Sequence, residues 1–442
     1  MMSFILAILI QTAPAGQDWP QWLGPQRDAI WRDTGILEKF PEGGPKLVWK
    51  QPLGGGYTGP AVAGGKVYVT DRAVKPGGAK PKSDFDRKGI EGTESIKCLD
   101  AATGNELWKH TYDCTYDISY AAGPRCTPVV HQGKVYSLGA IGDLFCLDAD
   151  KGTVIWEKHF PKQYGVKSPL WGWSASPMID GDKLICIVGA KDGLAMAFNK
   201  DTGSEIWKSL DAAEPGYCPP VIYTLAGIRQ LIIWHPEAVN GLNPETGEVY
   251  WKVPFKLQAG LNVPMPRQLS GDRLFVTSFY NGPMMLHIKP GTAPNAEIVW
   301  KGKSNSEIRT DGLHAIMPTP FVADEHIYGI CSYGQLRCLK DATGERVWDT
   351  LKATDIKKPE RWANAFLVRH EESKNYFIFN EHGDLIIARL SPKGYEEISK
   401  AHLIDPTLVA MGRDIVWTHP AFAYRCVFVR NDKEIACYSL AK

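Results

Sequence analysis

The sequence contains no two adjacent cysteines, no Cys-x-x-Cys and no Cys/His spacing suited to a metal, although it has ten cysteines. A dithiol redox centre and a zinc knuckle are thereby excluded. No apolar run approaches the roughly 20 residues that a membrane-spanning helix needs, and the N-terminal run Phe4 to Ile10 stops at seven. Charge of one sign is not in excess, with 50 Lys and Arg against 49 Asp and Glu. The chain therefore has no global field to draw in nucleic acid or an anionic membrane, and neither is an expected partner. No helix of any length is expected.

What the chain has instead is one short unit, repeated. CLDAATGNELW, Cys98 to Trp108, joins an apolar strand, an Asp-Ala-Ala-Thr-Gly turn and a second strand ending in Trp. Variants of this unit end at Trp156, Trp207, Trp251 and Trp348; an expanded copy ends at Trp300, and a degraded one puts Ile398 in the Trp position. An orphan strand before the first full unit ends on the same pattern at Trp49. From Trp49 to Ile398 the successive intervals are 59, 48, 51, 44, 49, 48 and 50 residues. Two further strands rich in β-branched and aromatic residues precede each strand-turn-strand, giving four per unit. Four-stranded units at a period of roughly 40 to 50 residues are the signature of propeller blades.

The expected fold is an all-β, eight-bladed β-propeller over residues 45–442. The last unit, Trp417 to Leu440, has only three strands, and the orphan strand around Leu47 to Lys50 is expected to supply the fourth. Such closure removes an exposed sheet edge. Ahead of the propeller, residues 16–44 read as an irregular arm. Residues 1–15 read as a secretory signal, an apolar core followed by Ala13-Pro14-Ala15, with a buried N-terminal strand as the alternative. The expected location is periplasmic or secreted. The Lys/Gly/Pro-rich stretch Ala73 to Ser95 accounts for the long first interval and reads as a solvated loop.

Cys98, Cys146, Cys338 and Cys437 share one repeat position, and Cys186, Cys331 and Cys426 lie in strand sequence. These seven read as small buried packing residues. Cys114 and Cys126 lie in loop sequence, where a disulfide between them is one alternative. Cys126 and Cys218 would be reactive only if exposed beside a cation.

The Asp-x-x-Thr-Gly-x-x-x-Trp pattern, best seen from Leu99 to Trp108, resembles the tryptophan-docking motif of pyrroloquinoline quinone (PQQ)-type β-propellers. The start Trp19-Pro20-Gln21-Trp22-Leu23-Gly24-Pro25 is similar to that of exported PQQ-like repeat proteins, with Leu23 replacing their Arg. The resemblance implies that Trp49, Trp108, Trp156, Trp207, Trp251, Trp300 and Trp348 dock neighbouring blades. Quinoprotein dehydrogenases of the family commonly hold the quinone with Ca²⁺ against a vicinal disulfide, for which this sequence has no match. The BamB-like assembly-factor branch uses an eight-bladed propeller without a cofactor, but its lipid-anchoring Cys is not found near Ala15.

Loops entering the innermost strands converge on one mouth of a propeller's central channel, so any site belongs there. Those positions hold Tyr57, Arg125, Trp173, Tyr217, His314, Trp362, Trp417 and His419. Aromatic faces with interspersed Arg and His suit a peptide, a glycan or a quinone. Arg309, Asp311, Arg413 and Asp414 fall near the same mouth and read as salt bridges between blades. The expectation is a monomeric, non-enzymatic binding scaffold for a protein, peptide or glycan, with no catalytic residue, no metal and no cofactor. The alternative is a PQQ- and calcium-dependent alcohol or sugar oxidoreductase, with Arg125 holding a quinone carboxylate.

Overall fold

A computed structural model describes residues 16–77, 83–291 and 293–442. The expected signal segment, residues 1–15, lies outside them. Eight blades of four antiparallel strands succeed one another along the chain, and in the first seven those strands lie in sequence order from the axis outward. Blade one comprises Ala61–Ala63, Lys66–Val74, Ile90–Asp100 and Glu106–Tyr116; blade two comprises Val129–His131, Lys134–Leu138, Asp143–Asp148 and Val154–His159. The last blade is formed by Ala421–Ala423, Cys426–Arg430 and Glu434–Ser439, with Lys46–Pro52 pairing antiparallel to Glu434–Ser439 as its outermost strand. Helix among the described residues amounts to Phe160–Tyr164 and a 3-10 turn at Gln258–Gly260, and no described helix is long and apolar enough to cross a membrane.

The repeated turn follows from its side chains. Asp100 Oδ1 accepts from the Ala102 and Thr103 amides at 3.0 and 2.8 Å and from the Thr103 hydroxyl at 2.9 Å, which folds the chain back toward the Trp strand. Asn199 makes the equivalent amide bonds in blade three. Five docking tryptophans then donate the indole N–H to a carbonyl at the next blade's turn: Trp108 to Ala149 at 3.0 Å, Trp156 to Lys200 at 3.0 Å, Trp207 to Pro244 at 3.1 Å, Trp300 to Asp341 at 2.9 Å and Trp348 to Ser391 at 2.9 Å. Trp49 reaches Ala101 of blade one at 2.8 Å, so the same contact seals the seam between the chain's two ends. Trp251 differs, because the turn that should receive it is the expanded one; its indole donates instead to buried Gln230 of its own blade at 2.6 Å.

The stretch Ala73 to Ser95 is not one solvated loop. Within Ala73 to Ser95, Ala73 and Val74 end one strand and Ile90 onward begins the next, paired through Val74↔Gly92 and Arg72↔Glu94. Blade one's second and third strands thus extend beyond those of the other blades. The physical reason is a buried polar anchor that composition hides: the carboxylate of Glu94, 2% exposed, accepts from the Tyr112 and Tyr116 hydroxyls. All ten cysteines are free, Cys114 and Cys126 included, and nine are buried.

The arm does more than cover a face. It crosses the channel at the far ends of the innermost strands. Trp19 exchanges backbone hydrogen bonds with Val62 of blade one, Pro20 accepts from Val130 of blade two, and Ile30–Trp31 adds a parallel strand to Ala365–His370 of blade seven. Arg27, 5% exposed, donates to the Ser176 and Pro177 carbonyls, while Arg267 donates back to the Arg27 and Asp28 carbonyls. Trp31 is buried among His370, Phe377 and Phe422. The channel is consequently closed at this end.

Candidate functional site

With the arm as its floor, the channel becomes a blind cavity of about 180 Å³ opening at the other mouth. Tyr57, Arg125, Tyr217, Trp362, Trp417 and His419 line it, six of the eight residues that the blade pattern selects. The two others turn away. Trp173 is 2% exposed, donates its indole N–H to the Val188 carbonyl at 3.2 Å and packs on Phe160, because left-handed Gly172 (φ +66°) rotates it into the blade and leaves Trp171 facing the cavity. His314 is fully buried between the Phe279 carbonyl at 3.1 Å and Asp311 at 3.3 Å, and burial lowers its pKa. Both are structural.

Arg125 also departs from its expected role. Its guanidinium donates to the carbonyls of Gly123, Ser119 and Tyr120 at 2.7, 2.7 and 2.5 Å and lies over the Tyr57 ring at 5.1 Å. It shapes the loop and is not left free for a carboxylate. The buried Cys126 and Cys218 thiols are pushed up in pKa by desolvation, which removes the thiolate that reactivity requires. Arg413 does bridge elements, holding Glu381 at 2.7 Å, and Glu381 in turn accepts from the Trp417 indole at 3.0 Å. Asp311 does not bridge blades; besides His314 it accepts from the Lys303 and Ser304 amides of its own loop.

Residues outside the repeat pattern complete the lining. Trp22 enters from the arm, its ring 4.9 Å from His419, whose other side meets Phe366 at 5.1 Å. Burial pushes His419 down to about 4, so the imidazole is neutral at pH 7 and donates to the Pro420 carbonyl at 2.7 Å. Tyr120, Trp362 and Trp417 pack with tilted rings at 5.8 to 6.2 Å, and Trp171 meets Tyr217 edge to face at 5.3 Å. Three exposed apolar side chains border this lining: Phe85, 49% exposed, whose ring meets Tyr120 at 5.4 Å; Ile308, 72% exposed, beside Glu307, whose carboxylate holds Arg361 over the Trp362 ring; and Val409, 61% exposed, on the hairpin Leu408–Ala410 and Arg413–Ile415, where Leu408 and Met411 pack with Tyr120, Trp362 and Trp417. Single exposed apolar residues are ordinary, but three on loops flanking one apolar cavity mark an interaction face.

The donor set defines what this face can hold. The lining contains no Asp or Glu and a single cation, Arg125, already committed. Among the described residues, no three His, Cys, Asp or Glu side chains are grouped to hold a metal ion. A quinone tricarboxylate with Ca²⁺ does not fit such a lining, and about 180 Å³ is below the roughly 300–1,000 Å³ of sites that enclose a ligand of that size.

Comparison with known proteins brings two groups together. The family model described as outer membrane protein assembly factor BamB matches residues 92–350 and 235–391. The chain is 23% identical over 404 residues to outer membrane protein assembly factor BamB of Burkholderia pseudomallei (strain K96243), spanning 88% of this chain and 91% of that one. Among solved structures, BamB from Moraxella catarrhalis aligns with a TM-score of 0.54 at 14% identity, over 89% of this chain and 97% of that one. The quinohemoprotein alcohol dehydrogenase of Comamonas testosteroni aligns with a TM-score of 0.61 at 12% identity, over 96% and 80%. At such identities the structural likenesses speak to the fold alone.

Proposed function

We propose that this chain, which belongs to the BamB family of PQQ-like β-propellers, is an exported, non-enzymatic scaffold that binds a polypeptide partner on its channel mouth, in the manner of an envelope assembly factor. The observation that carries this reading is the mouth itself, an aromatic cavity closed behind by the chain's own arm and ringed by Phe85, Ile308 and Val409. Apolar rings with few polar atoms suit protein partners, whose affinity comes from a small number of buried anchors. The name of the relatives, an outer membrane protein assembly factor, agrees with such a partner. Glycan recognition is less well supported, since sugar hydroxyls need a dense set of free polar groups and Arg125 is already engaged.

The competing reading is a quinoprotein oxidoreductase, favoured by the shared fold and by a partial sequence likeness, 28% identity over 170 residues, to the quinohemoprotein alcohol dehydrogenase ADH IIB of Pseudomonas putida, which covers 36% of this chain and 21% of that one. Titrating purified protein with PQQ and Ca²⁺, and following quinone absorbance and dye-linked alcohol oxidation, separates the two. The scaffold reading expects no saturable binding at micromolar quinone. Stoichiometric binding with turnover would overturn it.

A further inference from the structure

We infer that the cavity is a socket for one aromatic ring bearing an oxygen acceptor, a tyrosine side chain presented by the partner polypeptide. This rests on the scaffold reading above and names what that partner must bring. An apolar cavity of about 150 Å³ accommodates one benzene ring, and this one measures about 180 Å³. A single ring with its hydroxyl fills it.

Three lining residues hold buried polar atoms without a hydrogen-bond partner: the Trp362 indole N–H, the Tyr120 hydroxyl and the Trp22 indole N–H. Trp362 and Tyr120 are only 6% and 8% exposed, and these polar atoms are closed both to solvent and to the cavity as it stands, so an occupant's oxygen reaches them with a small turn of the ring that carries them. Indole can only donate, and an occupant that brings an oxygen recovers a bond that a hydrocarbon leaves unmade. Both residues are also held at positive φ, 54° for Tyr120 and 63° for Trp362, a costly conformation for aromatic side chains.

The chain already places one ring of its own in this cavity. From the closed end, the extended arm delivers one aromatic residue, Trp22, onto His419. The rest of the lining, Tyr57, Trp171 and Tyr217 among it, is left to a ring carried on another chain, while Phe85, Ile308 and Val409 stand exposed to flank the backbone that carries it.

The test uses the full protein with p-cresol, toluene, and two capped pentapeptides, Gly-Ser-Tyr-Ser-Gly and its Tyr→Ala counterpart. Binding is read from the indole N–H resonances, with the Trp362 signal assigned through Trp362→Phe. The expected result is saturable p-cresol binding that moves the Trp362 signal, with toluene about fivefold weaker for want of one hydrogen bond. The tyrosine peptide should compete with p-cresol and the alanine peptide should not. Val263→Phe, and independently Ser174→Trp, should fill the cavity and weaken p-cresol at least tenfold. No saturable p-cresol binding overturns the inference. So does p-cresol binding without competition by the tyrosine peptide, which would indicate a site for free phenols. If a polypeptide crosslinks to the rim equally well with the cavity filled, the socket is refuted while the scaffold reading stands; if nothing crosslinks at the rim, the scaffold reading itself fails.

Discussion

The blade-docking contact can be tested with two glycines of one blade that share a backbone conformation and differ in surroundings. Gly152 has φ +71° and Gly133 has φ +72°. A Cβ at Gly133 meets nothing within 4 Å, whereas a Cβ at Gly152 would lie 2.5 Å from Cε3 and 2.6 Å from Cδ2 of Trp108. Gly133→Ala should therefore cost only the left-handed strain, about 1 kcal/mol. Gly152→Ala adds displacement of a rigid indole by about 1 Å to restore normal contact. That shift draws the Trp108 N–H off the Ala149 carbonyl, now at 3.0 Å, at about 1 kcal/mol, and overpacks the seam at about 1 kcal/mol or more. The total is about 3 kcal/mol. Urea unfolding followed by far-UV circular dichroism should rank wild type, Gly133→Ala and Gly152→Ala in that order. In a Trp108→Ala background the Gly152→Ala penalty should fall to about that of Gly133→Ala. Equal costs at the two glycines, or an unchanged Gly152 penalty without the indole, would refute the docking account.

Arg27→Ala should release the arm, because the Ser176 and Pro177 carbonyls lose a buried charged donor. Limited proteolysis should then cut within residues 16–44 before the propeller, at a stability cost of about 2–3 kcal/mol. His419 gives a pH signature. Its folded-state value of about 4 lies below the unfolded value of ~6.5, so the unfolded chain takes up the proton first. Stability should fall as pH drops from ~6.5 to ~4, by up to about 3 kcal/mol, and His419→Phe should flatten that slope. Asp143, raised to about 6 chiefly by burial, contributes the opposite slope at pH values between the unfolded carboxylate's and its own; it is common to both proteins and cancels in the difference.

The periodic part of this molecule was readable because each blade solves the same problem with the same residues. A Trp every 44 to 59 positions, with an Asp or Asn folding the turn that receives the next, fixes blade number and order. The lining of the cavity was readable as far as it shares that period, which gave Tyr57, Arg125, Tyr217, Trp362, Trp417 and His419. It failed where local geometry breaks it. Two tryptophans flank Gly172, whose left-handed φ of +66° turns the chain between them, so that Trp171 faces the cavity while Trp173 packs on Phe160 and bonds the Val188 carbonyl. Trp22 was out of reach for another reason, since its contact with His419 spans nearly the whole chain and no repeat announces it. Arg125 shows a third limit: residue type marks a cation, but the three carbonyls that occupy it come from loop conformation.

The most direct measurement of the central claim is site-specific photo-crosslinking in the native host, with the photoreactive residue placed at Ile308, at Val409 and, on the opposite face, at exposed Gln132. The account predicts one polypeptide captured at both Ile308 and Val409, displaced by excess unlabelled protein, and absent at Gln132. Capture at Gln132 alone, or no protein adduct at either rim position, would contradict it.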